Sequence, residues 1–312
     1  CILKITNMKE YINIATRKSP LALAQSESVV KVMESKCPDV CFKLMPTSTS
    51  GDILKSEEFK LNGGKGLFIK ELEKLLIDKK ADIAIHSLKD VPAEIDSRFD
   101  VLPVLNRECP QDIMISDKFD SIKDIPDGAK IGTSSPRRVS MVKSLIRKVN
   151  IVEIRGNIGT RIKKLKKGDC DAIILAAAGM HRLDLKKEIT EYLPIETFVP
   201  SAGQGILCVE FLKKNDRVRK MVSKINDHII VRCALEERNF IRKISGDCMS
   251  PIGVHSYIKQ KKATLIGYIS DITGKNFIKL KHECDIDDFH NAGTKLAEIF
   301  IKQGAKKLLK KS

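Results

Sequence analysis

No stretch of this 312-residue chain approaches the roughly 18–20 consecutive apolar residues that cross a bilayer, and no charged segment leads into an apolar one as in a secretory leader. The chain reads as neither membrane-spanning nor secreted. It starts at Cys1 rather than Met, so removal of an upstream segment, with any targeting signal, is expected. The nine cysteines are odd in number and scattered, with no C-x-x-C pair, which argues against a disulfide framework or a zinc site and for a reducing compartment. Six histidines form no H-x-x-x-H group, so no protein-held metal is expected. Aromatic residues make up only 5%, and neither a base-stacking motif nor a recognition helix is visible. Arginine is scarce as well, with 14 residues against 42 lysines.

What remains, 42% hydrophobic and 31% charged, is the composition of a soluble globular protein long enough for two or three cored domains. A net charge of +16 calls for anionic partners: nucleic acid, acidic lipid, or a substrate carrying carboxylates or phosphates. The placement of arginine narrows this. Five of the 14, at 137, 138, 155, 161 and 182, fall within 46 residues with Arg147 among them, and the planar guanidinium fork suits carboxylate and phosphate.

The pattern along the chain is α/β. "INIAT" (12–16) reads as a strand ending at Arg17, after which Ser19 and Pro20 open the apolar-periodic helix "LALAQSESVVKVM". "GLFIKELEKLLIDKK" is an amphipathic helix, "ADIAIHS" (81–87) a buried strand, and "LKDVP" a loop. A second stretch repeats the order: "KIG", a helix from Pro136, "NIVEIR" (150–155), the helix "GTRIKKLKKG", and "DAIILAAAG" (171–179) as a strand. "IATRKSP" and "IGTSSP" echo one strand–turn–Ser-Pro–helix device. Two similar α/β halves are therefore expected, with a boundary near "RECPQDIMIS" (107–116) and a Gly-rich return at "FVPSAGQGILCVEF" (198–211). Beyond about residue 225 one helix, three strand-like runs (252–258, 263–270, 276–283) and a terminal helix predict a small α+β domain with an antiparallel sheet.

Ligands of open parallel sheets bind beyond the carboxyl ends of strands, where helix amino termini converge. Arg17, Ser134, Ser135, Arg137, Arg138, Arg155 and Arg161 all fall at such turns. Arg137 and Arg138 are the most informative. A cation in the first turn of a helix costs roughly 0.3–1 kcal/mol against the macrodipole, so something negative is expected beside them. "GGKG" (63–66) lacks the spacing of a nucleotide P-loop; it is a plain turn or a flexible lid carrying Lys65. Lys89 and Asp90 sit just past a buried strand, either as a surface pair or with Asp90 as the acid of a cationic cleft. "SGDCMSPIG" (245–253) places Cys248 in a loop, where a thiol near bases is more nucleophilic, although an isolated loop cysteine is usually idle.

Together "IATRKSPLALAQ", "GGKGLFIKELE", "DIAIHSLKDVP", "IGTSSPRR", "RGNIGTR", "DAIILAAAGMHRL", "PSAGQG" and "GDCMSPIG", in this order, resemble the hydroxymethylbilane synthase (porphobilinogen deaminase) family. The match runs from about residue 12 to about 256 and more loosely to the end. The resemblance implies two α/β domains like type II periplasmic binding proteins, here 1–108 with 200–222 and 109–199, plus a smaller α+β C-terminal domain at 225–312. It implies a monomer that joins four porphobilinogen molecules head to tail on a dipyrromethane cofactor held by a thioether to Cys248, releasing ammonia at each step. Loss of the amino group leaves a cationic azafulvene. Asp90 is the motif carboxylate that stabilises such a cation, assisted by Lys89 and Arg17. Cys248, Ser135, Arg137, Arg138, Arg155 and Lys65 are expected to hold the cofactor. Arg17, Ser19, Arg155, Arg161 and Arg182 are expected to take the substrate carboxylates. Where many relatives have Gly-Gly-Cys this chain has Gly246-Asp247-Cys248, and the added acid disfavours a neighbouring thiolate. A cytoplasmic or organelle-lumen location (plastid or mitochondrion), no nucleic acid and no membrane partner complete the expectation. The rivals are a solute-binding protein of the same architecture without catalysis, and a nucleic-acid binder.

Overall fold

The computed structural model describes residues 10–49, 69–245 and 250–310. Its first sheet has five strands: β1 (Glu10–Arg17), β2 (Val40–Thr47), β3 (Ile83–Ser87), β4 (Phe99–Val104) and β10 (Leu207–Leu212). They lie in the order β2-β1-β3-β10-β4. Strand β1 is parallel to β2 and β3, whereas β10 runs antiparallel to β3 and β4. The second sheet is made of β5 (Asp112–Ile115), β6 (Lys130–Gly132), β7 (Asn150–Val152), β8 (Ala172–Ala176) and β9 (Glu191–Tyr192). Its order, β7-β6-β8-β5-β9, repeats the first, with β5 as the antiparallel fourth strand. The two α/β units are thus built alike, and each takes its fourth strand from beside a chain crossing. These are the two similar α/β units that the sequence led us to expect.

Helix α1 (Pro20–Lys36) covers one face of the first sheet, burying Val29 and Met33 against Ile12, Ile14, Ile83 and Val209. Helix α2 (Lys70–Ile77) covers the other face through Leu72 and Leu76. In the second unit α3 (Pro136–Leu145) buries Met141 and Val142 against Ile131, Ala172 and Ile174, and α4 (Ile158–Lys166) sets Ile162 and Leu165 against Ile113 and Ile173. The run 171–179, expected as one strand, leaves the sheet at Ala176 and becomes α5 (Ala177–Arg182). Alanine is the best helix former, and the buried turn packs so closely that a Cβ on Gly179 would stand 2.7 Å from Ile158 Cδ1. The strand expected over 150–155 is shorter, ending at Val152.

The remaining unit is a meander of β11 (Ile252–Lys259), β12 (Lys262–Ser270) and β13 (Phe277–Asp285), antiparallel throughout. Helices α7 (His228–Ile244) and α8 (Ala292–Lys302) pack on it through Phe240, Leu296 and Phe300. The single terminal helix expected there is divided at Gly304, in the left-handed region at φ 95°, so that α9 (Ala305–Leu309) follows separately. Between the units, α6 (Asp216–Ser223) adds Val218 and Val222 to the first core, while Ile266 and Tyr268 of β12 join the second. Among the described residues no helix is long and apolar enough to cross a membrane.

Candidate active site

The carboxyl ends of the strands present the residues singled out by the sequence. Arg17 closes β1, and Ser19 caps α1, its hydroxyl accepting from the Ala22 N–H at 3.3 Å. Lys89 and Asp90 lie on a single 3₁₀ turn, Leu88–Asp90, directly after β3. Ser135 precedes Pro136 at the start of α3, but its hydroxyl makes no capping bond. Ser134 donates instead to the Ile154 carbonyl at 2.6 Å, tying this turn to the one after β7. The echoed Ser-Pro devices therefore share backbone geometry and differ in the use of the hydroxyl.

Asp90, Arg138 and Arg161 belong to one electrostatic cluster. Burial pushes the guanidinium pKa of Arg138 down, opposed mainly by the carboxylate of Asp112 and more weakly by the charge of Asp90. Arg161 is pushed down to about 10 by burial and by the like charges of Arg138 and Arg155, again opposed by Asp90. Cations from α3 and α4 thus feel one acid from the turn after β3, and Arg155, in the turn after β7, adds its like charge to Arg161. Arg155 is half-buried, with Nε 3.0 Å from Glu153 Oε1; Arg161 Nε donates to the Gly156 carbonyl at 2.8 Å. Lys89 Nζ reaches Gln204 Oε1 at 3.4 Å. Arg182 ends α5 and donates to the Gly205 carbonyl at 2.9 Å, on the chain segment that returns to the first unit. Gly205 has φ +89°, and a Cβ there would meet the Glu108 carbonyl oxygen at 2.2 Å, so the two crossings touch where a side chain has no room.

The anion expected beside the twin arginines is Asp112, the first residue of β5. Its fully buried carboxylate accepts from Arg137 Nη1 at 2.6 Å and from Arg138 Nε and Nη2 at 3.0 and 2.7 Å. Two guanidiniums hold it well below the ordinary aspartate range, outweighing the effect of burial. Arg137 is only 2% and Arg138 7% exposed, so much of their binding capacity is spent inside the protein. Sequence reading had assigned both to ligand carboxylates alone. Asp112 was missed because its partners lie 25 and 26 residues away; its signal was an acid opening an otherwise apolar strand. Gln204 and Glu237 were missed for the same reason. Gln204 Nε2 donates to Asp112 Oδ1 at 3.0 Å, and buried Glu237 pairs with Arg107 at 2.6 Å.

Lys65 and Cys248 lie outside the described residues. The chain resumes at Ser250 and at once packs on the second crossing. Val254 N–H donates to the Pro200 carbonyl at 2.8 Å, and a Cβ on Gly253 would stand 2.6 Å from the Val199 oxygen. Next to them Ser201 Oγ accepts from Arg137 Nε at 3.2 Å. Gly253 and Val254 are thereby tied to the segment that also holds Arg137.

Residues 12–220 match the family described as porphobilinogen deaminase, dipyromethane cofactor binding domain, and residues 231–302 match porphobilinogen deaminase, C-terminal domain. Over 298 residues, 96% of this chain, the sequence is 38% identical to the porphobilinogen deaminase of Alkaliphilus metalliredigens, covering 94% of that protein. Over the same span it is 39% identical to the one from Francisella tularensis subsp. holarctica, covering 98% of it. Among solved structures, a periplasmic substrate-binding protein of an ABC transporter from Coxiella burnetii overlays 73% of this chain and 96% of its own, with TM-score 0.45 and 13% identity.

Proposed function

This chain belongs to the porphobilinogen deaminase family, and we propose how its own residues carry out that family's reaction: head-to-tail condensation of four porphobilinogen molecules on a dipyrromethane cofactor, with release of ammonia and finally of hydroxymethylbilane. The observation that carries the reading is that one acid, Asp90, acts on both Arg138 and Arg161, two cations that also repel each other. Each substrate unit brings an acetate and a propionate. A crowd of partly desolvated guanidiniums is relieved by such groups, and charge-assisted bonds to carboxylate are the strong kind. The cofactor fits the same surroundings. Arg138 makes three bonds to protein acceptors, and its remaining N–H groups have no partner among the described residues. The Ser135 hydroxyl, unused as a cap, is available alongside it. When bound, the dipyrromethane supplies the pyrrole carbon to which the first substrate is joined.

In this reading Arg17, Ser19, Arg155, Arg161 and Arg182 hold substrate carboxylates, and Ser135, Arg137, Arg138, Arg155 and Lys65 hold those of the cofactor, attached at Cys248. Arg137 contributes mainly through its burial beside Asp112. Asp90 faces the carbon that loses ammonia, where its charge offsets the positive charge that develops, and it takes the proton from the attacking pyrrole. Lys89 and Arg17 flank it. Cations cannot stabilise a cation, so an acid is required at this one point. Residues 1–108 with 200–222 form the first domain in this reading, 109–199 the second and 225–312 the third. In this reading the protein is a monomer that binds neither nucleic acid nor membrane; a reducing cytoplasm or organelle lumen accords with the seven described cysteines, all free thiols.

Intact-mass spectrometry of the purified protein tests the reading. The wild type should carry the added mass of two pyrrole units, absent from Cys248→Ser. Asp90→Ala should keep that mass, or stall with further pyrroles attached, and turn over negligibly. An unmodified, fully active wild type would overturn the cofactor assignment. Near-normal turnover by Asp90→Ala would remove that residue from the chemistry.

A further inference from the structure

We infer that Asp112 is a positioning residue for the reaction: it pins Arg138 so that this guanidinium faces the bound carboxylates and does not pair with Asp90, and through Gln204 it ties the same point to Lys89. The inference rests on the active-site reading above.

Arg138 has two carboxylates to choose between. Asp112 takes its Nε and Nη2 edge at 3.0 and 2.7 Å, while the Ile174 carbonyl takes Nη1 at 3.0 Å. Asp90 acts on Arg138 only through its field. Without the Asp112 charge, Asp90 becomes the counter-ion that Arg138 senses most strongly. An Asp90 committed to Arg138 has less charge to offer a reacting cation.

A single arginine would neutralise Asp112. The structure instead places Arg137 on Oδ2 and Arg138 on Oδ1, leaving the buried trio with a net positive charge. Burying such a surplus is costly unless an anion completes it, which accords with a cluster built to receive carboxylate.

Gln204 extends the device. Its Nε2 donates to Asp112 Oδ1 at 3.0 Å and to the Pro110 carbonyl at 2.7 Å, and its Oε1 accepts from Lys89 at 3.4 Å. Two acceptors on one side and an ammonium on the other fix which way the amide points. Its own carbonyl is held by Arg107 Nε at 2.8 Å. One side chain on the second crossing therefore spans the turn that bears Asp90 and the arginines across the cleft. Among the described residues, the charged groups near Asp90 include Lys89 of its own turn, Arg138 of α3 and Arg161 of α4. The Cys208 thiol of β10 also feels the Asp90 charge, together with those of Glu210 and of Arg238 of α7, which donates to the carbonyls of Val91, Pro92 and Ala93.

The test compares wild type, Asp112→Asn and the charge-balanced pair Asp112→Asn/Arg137→Gln. All are checked for cofactor load by intact mass and then assayed for kcat and KM across pH. The double variant keeps the net charge of the buried trio, so it folds even if the single variant does not, yet Arg138 is unpinned in both. Expected in each loaded variant is a kcat lower by about 100-fold, as for a misplaced active-site group, with the acidic limb of kcat moved down by about one pH unit as Arg138 turns to Asp90. Loss of fold alone would reduce the active fraction and leave that limb in place. A loaded double variant with wild-type kcat, or with an unmoved acidic limb, would overturn the inference. A wild type carrying no pyrroles would instead sink the reading of the site itself.

Discussion

Replacing Arg107 by alanine should do more damage to stability than any exposed ion pair in this protein. Its Nη1 and Nη2 lie 2.6 and 3.2 Å from the two oxygens of Glu237, and the side chains are 8% and 0% exposed. With an effective dielectric constant near 20, unit charges about 3 Å apart attract by roughly 5.5 kcal/mol. Much of that offsets desolvation, but removing one partner of a buried pair leaves the other uncompensated, at about 3–5 kcal/mol. Glu237 also accepts from the N–H groups of Gly203 and Ser256 at 2.7 Å each, so its distress spreads to the second crossing and to β11. Against total stabilities of about 5–15 kcal/mol this is a large share. Urea titration should show a fall of about 4 kcal/mol, and amide exchange should accelerate most over residues 200–206 and 252–259. Adding Glu237→Gln, which removes the stranded charge, should restore about half. The exposed pair Lys262–Asp285, 70% and 59% exposed, serves as the control at about 0–1 kcal/mol. An Arg107→Ala cost within that control range would refute the argument from burial.

The parts of the site legible in the sequence were those written within a few residues. Ser19-Pro20 and Ser135-Pro136 announced two helix starts after strands, and both helices begin there. The repeated βαβ order announced two similar units. What could not be read is non-local. No periodicity says that β10 inserts between β3 and β4 after the chain has visited the second unit, since an antiparallel fourth strand and a parallel one carry the same short apolar pattern. The conflict between Arg137, Arg138 and their helix dipole was visible, but its resolution lay in β5. The pair Glu236-Glu237 misleads most directly. Adjacent acids in a helix read as solvated surface, yet both are buried: Glu237 against Arg107, and Glu236 against the N–H groups of Asn291 and Gly293 at 3.1 and 2.8 Å. A carboxylate in the core is legible only once its donors are known, and here the donors come from other elements.

One further outcome follows from a group that the chemistry does not use. His255 is buried, and its pKa is pushed well below the ordinary value by desolvation and by Arg107, while the Glu237 charge beside it is already engaged. The unfolded chain therefore takes up a proton that the folded one refuses. Stability from this residue is complete above about pH 6.5 and falls as pH drops below it, by roughly 1.4 kcal/mol per unit. Urea unfolding at pH 7.5 and 5.5 should show a smaller loss for His255→Gln than for wild type, and equal losses would refute the assignment. The two helix-start serines give the last contrast, because they occupy the same backbone position and differ in one bond. Ser19 caps α1 through Ala22 N–H, so Ser19→Ala should cost about 1 kcal/mol in unfolding free energy. Ser135 caps nothing in α3, so Ser135→Ala should leave stability within about 0.5 kcal/mol of wild type. In the proposed reading its hydroxyl serves the cofactor carboxylates, so the loss should instead appear as slower cofactor loading, followed by intact mass during assembly. Ser135→Ala that is destabilised like a lost cap, and loads at the wild-type rate, would show the hydroxyl to be structural after all.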